Sequence, residues 1–215
     1  MNVGGNGSNA VQLLILVAGL TLIPALLFTV TGFTRILVVL GFIRSGLGTP
    51  TAPPNQVLVG IALFLTIFVM APTFSAIKKD AIDPLNDHKI TQSQALKKGQ
   101  EPLREFMFKQ TRTKDLALFV KLSGAKTQPK TRADIPTWVL IPAFIISELK
   151  TAFQIGFLIF LPFLLIDLIV SSTLMSMGMV MLPPVFISLP FKILLFVLVD
   201  GWYLVIQGLV NSFHP

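Results

Sequence analysis

The sequence predicts an all-α, membrane-associated fold of helical hairpins with a small helical insertion between them, assembling as a homo-oligomer. Three observations lead there. Hydrophobic residues make up 53% of the 215 and charged residues only 13%, a balance outside that of soluble globular domains. Four apolar runs, residues 11–43, 57–74, 135–174 and 185–213, match or exceed the roughly 20 residues that a helix needs to cross a bilayer core. Charge is concentrated between them: residues 75–134 hold thirteen of the seventeen Lys and Arg and seven of the ten acids.

Composition also removes whole classes of function. Cysteine is absent and the only histidines are His88 and His214, so disulfides, thiolate metal sites and cysteine nucleophiles are excluded. No HExxH, P-loop, dinucleotide fingerprint or Gly-x-Ser-x-Gly occurs, and the chain is read as a non-enzyme with no cofactor and no metal. The net charge of +7 raises the question of nucleic acid. Acids interleave with the bases and no nucleic-acid-binding motif is present, so nucleic acid is not expected.

Residues 1–10 form an N-terminal tail without Lys or Arg, and so without the basic flank of a secretory signal peptide. The run that follows is either a membrane segment or the remainder after a leader has been removed. As one helix, residues 11–43 would be about 50 Å long, which suits a single long crossing bent at Pro24. The link RSGLGTPTAPPNQ, residues 44–56, has too much Gly and Pro to stay helical, and residues 57–74 return across the membrane. Residues 11–74 thus make the first hairpin.

Residues 75–134 read as short amphipathic helices outside the hydrocarbon. Thr91 and Gln94 fit a capping box, Gly99 offers a stop, and Pro102 suits a first helical turn. Leu103, Phe106 and Met107 then form an apolar stripe, and residues 114–122 a second one before Gly124. Residues 135–215 make the second hairpin. Both of its apolar runs exceed one crossing, so each must tilt, break or extend beyond the membrane.

Arg35, Glu148, Lys150, Asp167, Lys192 and Asp200 lie inside the apolar runs. A charge at the bilayer centre costs about 2.5–3.5 kcal/mol, so these groups should meet each other or water. Glu148 and Lys150 fall on different sides of a helix, and Lys192 and Asp200 are about 12 Å apart along one, so their partners lie on other helices or other chains. Two readings stay open: ion pairs that fix helix register, or relay groups of an ion path.

The link SMGMVMLPP, residues 176–184, follows Met175 and places Met175, Met177, Met179 and Met181 at every second position before Pro183 and Pro184. Gly178 and the two prolines favour a partly extended loop, in which the thioethers would project to one side. They are either ordinary apolar filling or a deformable seal around an axis shared by several copies.

Four blocks carry a resemblance: PPNQV at 53–57, SELKTAFQIGF at 147–157, FLLIDLIVSSTLMSMGMVMLPP at 163–184 and LPFKILLFVLVDGW at 189–202. In this order they resemble the FliP family, export-gate subunits of the flagellar type III secretion system related to the R subunit of virulence injectisomes. The resemblance implies a homo-oligomer, typically a pentamer, with the gate proteins FliQ and FliR, among other export-apparatus and basal-body components. It implies the bacterial inner membrane, a conical channel for unfolded flagellar proteins, and apolar segments that can bury against each other above the bilayer plane. It makes the methionine loop, residues 175–184, the closure near the cytoplasmic entrance. It also implies that Glu148 and Lys192 pair across subunits and that Asp167 matters for assembly or export. Residues 75–134 become extracytoplasmic, although the positive-inside rule alone would retain them; 60 residues lie at that rule's limit. The competing readings are an injectisome counterpart and a small-ion channel or proton-coupled transporter using Asp167, Asp200 and Arg35.

Overall fold

The computed structural model describes residues 17, 21, 28–124, 129, 131–179 and 181–213, and among these no strand occurs. The first hairpin contains α1, Phe33–Leu47, and α2, Asn55–Ile77. The α2 helix continues through a π-helical turn at Lys78–Ile82 into α3, Asp83–Asn86. The insertion adds α4, Gln92–Gln110, α5, Thr113–Leu122, and a 3₁₀ turn at Arg132–Asp134. The second hairpin is α6, Thr137–Ser176, with α7, Pro184–Leu198, and α8, Gly201–Asn211.

Several boundaries differ from the sequence expectation, each for a local reason. The first apolar run is interrupted at Thr31 and Gly32, and Pro24, the expected bend, lies outside the described residues. A Cβ at Gly32 would come within 2.6 Å of the Phe213 ring, so the break sits where residue 213 packs against the chain. The α1 helix then outruns its apolar stretch to Leu47 and stops at Gly48, whose φ of 74° only glycine adopts freely. The capping box is present: Gln94 N–H donates to Thr91 Oγ1 at 3.4 Å, and Thr91 N–H to Gln94 Oε1 at 3.0 Å. Gly99 does not end α4, however, and Pro102 lies in its interior. Met107 and Phe108 are buried beyond the proline, and the carbonyl it leaves unbonded belongs to exposed Lys98, within reach of solvent.

The core is organised around α1, whose Ile36, Val39, Leu40 and Ile43 are buried in one cluster with residues of α2, α6, α7 and α8. Arg35 meets Glu148, Phe42 meets Phe153 and Gly156, and Gly46 meets Phe160 and Phe163. Residue numbers rise together at these contacts, so α1 and α6 run parallel. Two glycines permit the close approach: a Cβ would fall 2.4 Å from Phe42 at Gly156 and 2.6 Å from Phe163 at Gly46. Asp167 meets Lys192 and Phe163 meets Phe196, so α6 and α7 are antiparallel.

The α2–α3 unit and α6 are long and apolar enough to cross a membrane, and the bent pair α7–α8 would be a third span. The two runs of the second hairpin resolve their excess length differently. At 40 residues α6 stays continuous, about 60 Å long, twice a bilayer core. The other run breaks by 64° between α7 and α8, where Asp200 takes a left-handed φ of 50°.

Candidate gating hairpin and buried charge junctions

The deepest charges are Glu148, 0% exposed, and Arg35, 2% exposed. Arg35 Nε donates to Glu148 Oε2 at 3.0 Å, and its Nη2 to both Glu148 Oε1 and Gln110 Oε1. Its Nη1 donates to the Ser212 carbonyl at 2.8 Å and to Ser212 Oγ at 3.1 Å. All five guanidinium N–H groups are thereby used. The Phe213 ring lies 4.0 Å from the guanidinium carbon, and Gln110 Nε2 donates to the Phe213 carbonyl at 3.1 Å. One side chain therefore joins α1, the end of α4, α6 and the C-terminal end of α8, where the helix dipole also favours a cation.

Next to Glu148 on α6, Ser147 ties in the other side of the α4–α5 turn. It accepts from the Arg112 N–H at 3.1 Å and donates to Asp115 Oδ2 at 2.7 Å, while the Arg112 guanidinium grips the same carboxylate at 2.9 Å twice. The hydrogen bond from Arg112, then that from Ser147, hold Asp115 below the usual carboxylate range against a burial that raises it. The same pairing raises the Arg112 guanidinium above its ordinary value. Farther out, Arg104 donates to Thr137 Oγ1 and to the Ile135 carbonyl, fixing α4 to the start of α6.

At the other end of α6, Lys192 Nζ donates to Asp167 Oδ2 at 2.6 Å and Ser188 Oγ to Asp167 Oδ1 at 2.6 Å. Lys192 is 3% exposed but the Asp167 side chain 27%. Within the chain, then, Glu148 pairs with Arg35 and Lys192 with Asp167, whereas the Glu148–Lys192 pairing is expected between subunits. The parallel α1–α6 register sets Arg35 beside Glu148, while Lys192 lies over the α1–α2 turn, with Nζ 3.6 Å from a Cβ built at Gly48. Lys150 and Asp200, expected among the buried or inter-subunit charges, are exposed on the protomer.

The methionine link differs in part from the extended loop expected of it. Met175 belongs to α6, Met177 caps it and Gly178 turns it with φ 74°. Gly178 N–H donates to the Met175 carbonyl at 3.0 Å and Met179 N–H to the Leu174 carbonyl at 2.9 Å, a Schellman closure. Pro183 then precedes α7 as its N-cap and Pro184 fills the first turn, where no N–H is needed. All four methionines are exposed, Met181 to 98%. A Cβ built at Gly48 would lie 3.6 Å from Val185 Cγ1, so the α1–α2 turn packs on the start of α7, and the methionine link lies at the same end of the molecule as that turn.

Gln110, Ser147, Asp115, Arg112 and Ser212 could not be found by sequence reasoning, because nothing local links them to Arg35 or Glu148. Ser188 left a signal: it stands one helical turn before Lys192 in an apolar run, so both meet one partner.

Among the described residues no group of three or more His, Asp or Glu is placed to hold a metal ion. What the fold and its junctions define is an all-helical membrane protein whose polar groups serve to join helices, with an apolar hairpin whose methionine tip is exposed. The FliP family matches residues 16–209, and the chain belongs to that family. It is 59% identical to the flagellar biosynthetic protein FliP of Bacillus subtilis (strain 168) over 97% of this chain and 94% of that protein. It is 53% identical to the FliP of Pectobacterium carotovorum over 99% of this chain and 82% of the relative. With the FliP of Buchnera aphidicola from Acyrthosiphon pisum it shares 56% identity over 95% of this chain, which spans 54% of that longer protein.

Proposed function

We propose that this chain, through its family a subunit of the flagellar export apparatus, assembles with sister copies and the gate proteins FliQ and FliR into the channel for unfolded flagellar proteins. Five copies surround the axis in the bacterial inner membrane, and residues 75–134 lie on the extracytoplasmic side. The subunit is a conduit component and not an enzyme; other components supply the energy. The observation that carries this reading is the tip of the α6–α7 hairpin, where four methionines are exposed close together along the chain. A monomer has no use for such a tip in water, whereas several tips around an axis make a soft hydrophobic constriction.

Two further features support it. Because α1 and α6 are parallel and each is followed by a turn, the insertion belongs to one end of the molecule and the methionine tip to the other. Exposed Lys150 and Asp200 stand among exposed apolar residues such as Phe153 and Leu198, which suits burial against a neighbouring subunit better than contact with lipid. Native mass spectrometry of the detergent-extracted complex tests the proposal. Five copies bound to both partner proteins are expected. A stable monomer that conducts small ions unaided would replace it with the ion-channel reading.

A further inference from the structure

The outward face of α2 has no use in the junctions above. Phe64 and Phe68 are its most exposed large residues, followed along the same side by exposed Ala71 and Ser75. With Phe64 set at 0° and 100° per residue, Phe68 falls at about 40°, Ala71 at about −20° and Ser75 at about 20°. Lys78 then falls at about −40°, and in the π-helical turn that begins there each residue advances by less than 100°, so Lys79 falls at about 40–60° and brackets the stripe, while Asp80 falls at about 120–160°, away from it. From Asn55 to Lys78 the helix rises about 34 Å, close to the bilayer core of about 30 Å.

We propose that Lys78 and Lys79 hold the phosphate of an anionic phospholipid whose acyl chains lie along the Phe64–Phe68 stripe. Both lysines are exposed, and among the described residues neither makes an ion pair. Lys98 adds a third cation nearby, since the next residue, Gly99, packs on Ala81 and Ile77. Asp83 stands farther along the chain from the apolar run, on the water side of the two lysines, while α4 doubles back along another face of α2, where Glu105 lines a cavity with Thr73 and Ala76 away from the Phe64–Phe68 stripe. A protein covering this stripe to its end would bury two unpaired ammonium groups, which is costly. A phosphodiester supplies the acceptors that they lack, and a choline headgroup would set its own cation against them. This assignment stands apart from the conduit reading and survives its failure.

The test is native mass spectrometry of the purified full-length protein titrated with dioleoyl-phosphatidylglycerol or dioleoyl-phosphatidylcholine. The wild type is expected to retain phosphatidylglycerol preferentially. The double variant Lys78→Gln/Lys79→Gln should lose affinity about fivefold for each lysine removed. Lys78→Arg/Lys79→Arg should keep the preference, which also guards against a folding defect in the glutamine variant. The remote pair Lys114→Gln/Lys121→Gln removes the same charge from α5 and should change little. Equal retention of the two lipids by the wild type, or equal losses in the two glutamine variants, would overturn the proposal. So would a co-purifying protein that shields α2 with no lipid bound.

Discussion

The two ion pairs inside this chain stand at opposite ends of α6 and are built to different standards. Arg35–Glu148 is sealed from water, every guanidinium donor has an acceptor, and four elements meet on it. Lys192–Asp167 joins only the two helices of the α6–α7 hairpin, and its carboxylate remains a quarter exposed. A buried charge is tolerated only when its partners are complete, so the first pair must form as a unit with the α4–α5 turn and residues 212–213. The second can relax with water as a substitute. The insertion end is thus the fixed end of the protomer, and the methionine end is where the chain has freedom to adjust.

The largest effect expected from this contrast is at Glu148. Glu148→Ala leaves Arg35 buried without its counter-charge and should destabilise the protomer by about 3–5 kcal/mol. Thermal unfolding in detergent, followed by circular dichroism, measures it. The double change Arg35→Met with Glu148→Leu should restore most of the loss, because it removes both charges and keeps the volume. A Glu148→Ala protein that melts like the wild type would erase the distinction between the two ends.

Asp167→Asn should cost less, about 1–3 kcal/mol in the same measurement: buried Lys192 loses its counter-charge, but the amide oxygen still offers an acceptor and the site is open to water on the Asp167 side. If this variant proved as damaging as Glu148→Ala, the methionine end would be as rigidly specified as the insertion end.

How much of this was legible in the sequence follows the range of the interaction. The capping box at Thr91 and Gln94 is written within four residues, and the structure has it where expected. Gly99 and Pro102 misled because local helix breakers were weighed without the burial of Met107 and Phe108 beyond them. For Met175 and Met177, Gly178 and the two prolines suggested a partly extended loop, whereas α6 simply runs on to Ser176 and is closed by Gly178. The charge partners were the least legible. Arg35 reaches 113 residues to Glu148, 75 to Gln110 and 177 to Ser212, and only the parallel α1–α6 packing brings those positions together.

A smaller effect is expected from pH at the fixed end. Asp115 is held below the usual carboxylate range in the folded chain, so its contribution is fully present above the unfolded value near ~4 and is lost as pH falls through its folded value. Hydrogen exchange of the α5 amides, corrected for the intrinsic pH dependence, should show protection steady from neutral pH to that range and falling below it. In Asp115→Asn the acid step should vanish and protection at neutral pH should be lower. Identical profiles in the two proteins would mean that α5 is held to α6 by apolar packing alone.

The smallest effect on stability, and the clearest separation of the two ends, is expected from replacing Met177, Met179 and Met181 together by alanine. These side chains are 56%, 48% and 98% exposed, so their removal should change the melting of the protomer by less than about 0.5 kcal/mol. The backbone should be unaffected, because the helix end is fixed by Gly178 and its two hydrogen bonds, not by the thioethers. Any change in the assembled gate therefore reports on the side chains alone. If they form the seal, ions should leak through the triple variant reconstituted in a bilayer while the wild type stays closed. Unchanged conductance would assign the methionines to packing between subunits and leave closure to another part of the assembly.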